Sequence, residues 1–162
     1  MGHNITAVIG APAVVARVAS VANCPSPTKL KFGLEIAPLG YQQIDELTAL
    51  KPGQYFEGFQ YLSEGLQNAL MQAAGKGALA YIETNYFGGT GGQAAALFLD
   101  GHAVARVAIG ISRRPAHKGD PINTVLRALG VEAVIDEDEF AALDLQRFRD
   151  LESLGFKEWD DE

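Results

Sequence analysis

Apolar and polar positions fall into two periods along this chain, one of about two residues and one of about three and a half. The stretch from Ala78 to Ile111 predicts three antiparallel strands in succession: about Ala78 to Phe87, about Gln93 to Leu99, and about Ala103 to Ile111. In the first strand Tyr81, Glu83, Asn85 and Phe87 share one face, and Ala80, Ile82, Thr84 and Tyr86 share the other. Asp100-Gly101 stands between the last two strands, the pair a two-residue hairpin turn favours because both positions need φ > 0. Gly88-Gly89-Thr90-Gly91-Gly92 stands between the first two and predicts a flexible hairpin connection. The second strand is apolar on both faces, with Ala95, Leu97 and Leu99 on one and Ala94, Ala96 and Phe98 on the other. Such a strand needs a sheet covered on both sides, or covered on one side and contacting a partner on the other.

The first half predicts a strand from Ile5 to Ile9, then a helix opened by Pro12 with Val14, Val15, Val18 and Val21 along one stripe. Lys29 to Ala37 alternates and predicts one half-buried strand. A short helix follows, with Tyr41, Ile44 and Leu47 or Thr48 along one side, and a second helix spans about Gly58 to Ala74 on the spacing of Phe59, Leu62, Leu66 and Leu70. After the meander, Asp120 as cap and Pro121 as first residue open a helix carrying Ile122, Val125, Leu126 and Leu129. Asp136-Glu137-Asp138-Glu139 puts negative charge at the front of a further helix or pair of helices, with Phe140, Leu143, Phe148, Leu151 and Leu154 facing the body. The sum is a single α+β domain over residues 1–162: an antiparallel sheet with a three-strand meander at about 78–111, packed by several helices.

Composition narrows the function classes. With 48% hydrophobic and 20% charged residues among 162, the chain is globular in type, and no window reaches the ~18 uninterrupted apolar residues of a membrane span. The amino terminus has no signal-peptide pattern, which predicts a cytoplasmic location; Met1-Gly2 followed by Thr6 fits the myristoylation pattern in form only. The lone Cys24 has no internal disulfide partner and reads as a small half-buried residue. The net charge of −7 is uneven: Glu132 to Glu162 holds 12 acidic and 3 basic residues, against 8 and 10 in the first 131. Phosphates would be repelled from that acidic end, which argues against nucleic acid and suits a basic protein partner or plain solubility.

Three groups carry candidate chemistry. The glycine run could cradle an anion with its N–H groups, with Gly89, Thr90, Gly91 and Gln93 as contacts. Neither the lysine of a phosphate-binding loop nor the helix of a dinucleotide fold follows it, which favours a plain hairpin. Glu83, with Tyr81 and Asn85 on its face, would need a partner if buried, and Arg106 on the third strand is the expected one. Arg113, Arg114, His117 and Lys118 form a basic loop suited to an anion or to the acidic tail of another copy. The three histidines are isolated, there is no metal-ligand spacing, and no cofactor is implied.

The run from Tyr81 to Ala95 (YIETNYFGGTGGQAA), with Asp100-Gly101, Pro121-Ile122-Asn123, Asp138-Glu139-Phe140 and Trp159, resembles small bacterial proteins of unassigned activity, some of them associated with toxin-immunity loci. The resemblance covers the second half of the chain and implies an inhibitor-like binding role. The leading expectation is therefore a non-catalytic immunity protein that occludes a basic toxin through an acidic surface, with Asp136, Glu137, Asp138 and Glu139 steering and Tyr86 or Phe87 anchoring. The alternatives are a small-ligand or nucleotide-binding enzyme using residues 88–92, with Glu83 as base and Arg113 or Arg114 holding an anion, and a structural or assembly subunit. A homo-oligomer fits any of the three.

Overall fold

The computed structural model describes residues 3–87, 90–112, 120–133 and 137–155. Six strands form one antiparallel sheet in the order β2-β3-β1-β4-β5-β6: β1 (Thr6–Gly10), β2 (Thr28–Lys29), β3 (Glu35–Pro38), β4 (Ala78–Phe87), β5 (Thr90–Leu99) and β6 (His102–Ser112). Helices α1 (Pro12–Ala22), α2 (Tyr41–Thr48) and α3 (Glu64–Ala74) belong to one side. Helices α4 (Pro121–Ala128) and α5 (Glu139–Ala142) belong to the other, with short 3-10 turns at Leu145–Arg147 and Glu152–Leu154.

The sheet is covered on both faces, which is why β5 is apolar on both faces from Ala94 to Phe98. Val8, Leu79, Tyr81, Ala94, Ala96 and Phe98 pack under Val15, Val18, Leu66 and Leu70 of α1 and α3. Ile5, Ala7, Ile9, Ala80, Ile82, Ala95 and Leu97 pack under Ile122, Val125 and Leu126 of α4 and under Leu143, Leu145, Phe148 and Leu154. Full burial of each large aliphatic side chain contributes about 1.5–3 kcal/mol, so both layers hold the sheet. The meander is as expected. Asp100 (φ 50) and Gly101 (φ 82) make the turn between β5 and β6, both with positive φ.

Three expectations are corrected. Residues 29–37 are not one strand. Leu30 N–H donates to the Leu34 carbonyl at 2.9 Å, and Phe32 (φ 62) and Gly33 (φ 71) turn the chain back on itself, so β2 and β3 form a hairpin. The helix read over residues 58–74 begins only at Glu64. Ser63 takes the N-cap, its hydroxyl accepting from Leu66 N–H at 3.2 Å, and residues 58–62 are a loop whose Phe59 and Leu62 still face the core. The glycine run is largely strand: Thr90, Gly91 and Gly92 pair with Phe87, Tyr86 and Asn85. Gly88 and Gly89 lie outside the described residues, as do the candidates Arg113, Arg114, His117, Lys118 and Asp136, and Trp159. Gly91 is required where it stands. At φ +124 a Cβ would fall 1.7 Å from the Asn85 carbonyl oxygen.

Candidate functional site

Glu83 is the node of the site. On β4 it stands opposite Ala94 of β5 and faces the α1–α3 side, where it is 6% exposed. Its carboxylate accepts four hydrogen bonds. Gln60 N–H donates to Oε1 at 2.6 Å, Tyr61 and Leu62 N–H donate to Oε2 at 2.9 and 3.0 Å, and the Tyr81 hydroxyl donates to Oε2 at 2.6 Å. Three of the four donors converge on Oε2 and one reaches Oε1, so the carboxylate is held chiefly through Oε2. The expected partner, Arg106, is elsewhere: it donates to Gln67 Oε1 at 2.7 Å and lies 4.2 Å over the Phe56 ring. Backbone N–H groups satisfy Glu83 instead, as they do wherever a buried carboxylate organises a loop.

The loop that Glu83 holds runs from Lys51 to Ser63 and is rich in rings. Phe59 turns inward beside Tyr81, ring centroids 6.3 Å apart. Tyr61 meets Tyr41 of α2 edge to face at 5.7 Å, and their hydroxyls share a hydrogen bond of 3.2 Å. Tyr41 is 73% exposed and Tyr55 is 54% exposed. Burial, then the Tyr41 bond and the negative charge of Glu83, push the Tyr61 hydroxyl pKa up to about 12. The elements carrying these rings also present Asp45, Glu46 and Glu57 to solvent. The Tyr41–Tyr61 pair, with the exposed Tyr55 and the carboxylates of α2 and the loop on the same elements, is the candidate recognition surface.

Beside this loop the sheet is open. A groove of about 470 Å³ is floored by Gly92, Ala94 and Ala108, walled by Gly58 and Gln60, and bordered by the exposed Asn85. Gly91 and Gly92 line this groove as paired residues of the β4–β5 ladder.

The other candidates serve internal bonds. Gln93, buried, donates to the Tyr86 hydroxyl and accepts from Ile122 N–H at 2.7 Å, so it ties the β4–β5 hairpin to the first turn of α4. That bond does the work expected of Asp120, which occupies the N-cap of α4 without a side-chain cap bond. Tyr86 is only partly exposed, and Phe87 and Thr90 are placed as strand residues. Asp138 caps α5, accepting from Ala141 N–H at 2.9 Å and from Asn123 Nδ2 at 3.2 Å. Glu139 is 4% exposed and pairs with Arg127 at 3.2 Å. Glu137 is partly exposed. Two of the four expected steering carboxylates are therefore committed to the α4–α5 junction.

His3 had no sequence signal beyond its presence. It is buried, and Nε2–H donates to the Leu145 carbonyl at 3.0 Å. A carbonyl only accepts, so Nε2 carries the proton, and Nδ1 of the neutral ring accepts from the Thr84 hydroxyl at 2.7 Å. Thr84 Oγ1 in turn accepts from Ile5 N–H at 2.9 Å. Burial lowers the His3 pKa below its ordinary value. The Leu145 bond and Asp150 oppose that shift, and Arg149 adds to it. Among the described residues no cluster of His, Cys, Asp or Glu is arranged to hold a metal, and no helix is long and apolar enough to cross a membrane. Compared with protein families, curated proteins and solved structures, the chain matches none.

Proposed function

We propose that this chain is a non-catalytic binding protein of the immunity kind, which acts in the cytoplasm and neutralises a cognate toxin by covering its active site. One observation carries the reading: Glu83 accepts four hydrogen bonds, three from the N–H groups of residues 60–62 and one from Tyr81, and so fixes the segment that carries Phe59 and Tyr61. Exposed tyrosines, Tyr41 on α2 and Tyr55 on the loop, are suited to anchoring a partner, because little backbone entropy is lost where the backbone is already ordered. Asp45, Glu46 and Glu57 would steer a basic partner toward the rings. The acidic surface is thus proposed on α2 and the aromatic loop, away from the α4–α5 junction. The resemblance of the Tyr81–Ala95 run to immunity-type proteins points the same way. Co-purification with the product of the adjacent gene, and rescue of cells expressing it, test the proposal. Absence of both a complex and a rescue would overturn it.

The second reading is a small-ligand site in the groove floored by Gly92, Ala94 and Ala108, with Gln60, Glu83 and Asn85 as polar contacts. A melting-temperature shift across a panel of nucleotides and small metabolites, lost in Ala108→Leu, would favour it over a protein partner.

A further inference from the structure

The outer side of β6 is free of any strand among the described residues. The ladder tells which groups it presents. Thr84 and Tyr86 N–H donate to the Ile5 and His3 carbonyls, so the even positions of β4 turn toward β1 and the odd ones toward β5. Carried through the registers Glu83↔Ala94 and Ala95↔Val107, this turns the backbone of Val107 and Ile109 toward β5. The backbone N–H and C=O of Arg106 and Ala108 then point outward.

Natural edges are usually blunted by brevity, proline, charge or a cover. The opposite edge, β2, is two residues long. β6 is eleven, with Arg106 its single Lys, Arg, Asp or Glu, and that guanidinium is folded back over Phe56. Its one irregularity is the register shift that leaves Val104 extra near the start. Val104 and Val107 are 51% and 41% exposed.

We propose that β6 pairs antiparallel with β6 of a second copy about a two-fold axis at Val107, joining two sheets into one. The strand is complementary to itself in that register. Arg106 meets Ala108 of the second copy through the outward backbone groups, and Ala105 meets Ile109. The two Val107 side chains face each other in a non-hydrogen-bonded pair, where side chains come closest. A slip of one residue sets outward groups against inward ones. A slip of two in one direction stacks Arg106 on its own copy, and in the other direction it places Ala108 on its own copy.

The test is the mass in solution at physiological salt, with cysteines introduced in a Cys24→Ser background. The chain is expected at twice its 17.3 kDa at micromolar concentration, with Val107→Cys cross-linking under mild oxidant and Ala108→Cys not. Val107→Lys, at an exposed position, is expected to run at the single-chain mass with an unchanged melting temperature. A single-chain mass for the unaltered protein at every concentration overturns the proposal. So does a dimer that cross-links through residue 108 and not 107, or one that Val107→Lys leaves intact.

Discussion

The Tyr81 hydroxyl donates to Glu83 Oε2 at 2.6 Å from two positions earlier on the same strand. Residues two apart on a strand share a face, so β4 supplies both the carboxylate and one of its donors. Burial, then the charge and bond of Glu83, keep the Tyr81 pKa well above that of an ordinary phenol, so this hydroxyl remains a donor throughout the working range of pH.

Glu83→Gln is expected to lower stability by about 3 kcal/mol, because a carboxamide places an NH2 where backbone N–H groups already point. For a chain of this size that is a melting-temperature loss of roughly 10 °C. Amide hydrogen exchange of Gln60, Tyr61 and Leu62 should quicken more than that of β1. Equal quickening everywhere would mean that Glu83 holds the whole sheet and not the loop.

Tyr41→Ala and Tyr55→Ala should each weaken partner binding about tenfold, the ~1.4 kcal/mol of a moderate anchor. Stability should change little, since both rings are mostly exposed. Glu57→Gln should instead slow association and flatten its salt dependence. Binding measured by surface plasmon resonance at two ionic strengths separates the two effects.

His3 predicts an acid sensitivity. The unfolded imidazole titrates near 6.5, and the folded one lower because burial disfavours its charged form. Between those values the unfolded chain binds more protons, so the contribution of His3 is fully present above about pH 6.5 and is lost as the pH falls below it. The slope reaches at most ~1.4 kcal/mol per pH unit. Urea unfolding at pH 7.5 and 5.5 should show this slope in the unaltered chain and a shallower one in His3→Gln.

Gly91→Ala should prevent folding or cost more than ~3 kcal/mol, since its Cβ would overlap the Asn85 carbonyl. Gly101→Ala, at φ +82 but with nothing within 4 Å of its Cβ, should cost about 1 kcal/mol. Thermal melts of the pair compare a clash with a backbone preference.

The meander was legible because its turn is written in Asp100-Gly101 and its strands in period-two alternation. So were α1 and α4, each opened by a proline. Residues 29–37 misled because Leu30, Phe32, Leu34 and Ile36 keep strict alternation through a turn, and nothing but Gly33 marks the left-handed pair. Phe59 and Leu62 extended the stripe of α3 although their segment is a loop, since packing on one face leaves the same spacing whatever the backbone does. Three of the four donors to Glu83 are main-chain groups, which have no signature in sequence, so the sequence points instead to a charged partner, Arg106. His3 gave no pattern because its partners, Thr84 and Leu145, lie far along the chain.

The bond from His3 to Leu145 spans 142 positions, and β1, at the middle of the sheet, precedes the other described strands in the sequence. It must wait for β3 and then β4 to flank it, and His3, just ahead of it, pairs with Tyr86 and Thr84 of β4 well before Leu145 can complete its ring contacts. A chain stalled before Leu145 would lack Leu145, Phe148 and Leu154 from the layer beside α4, and would show that part of the sheet to chaperones and proteases.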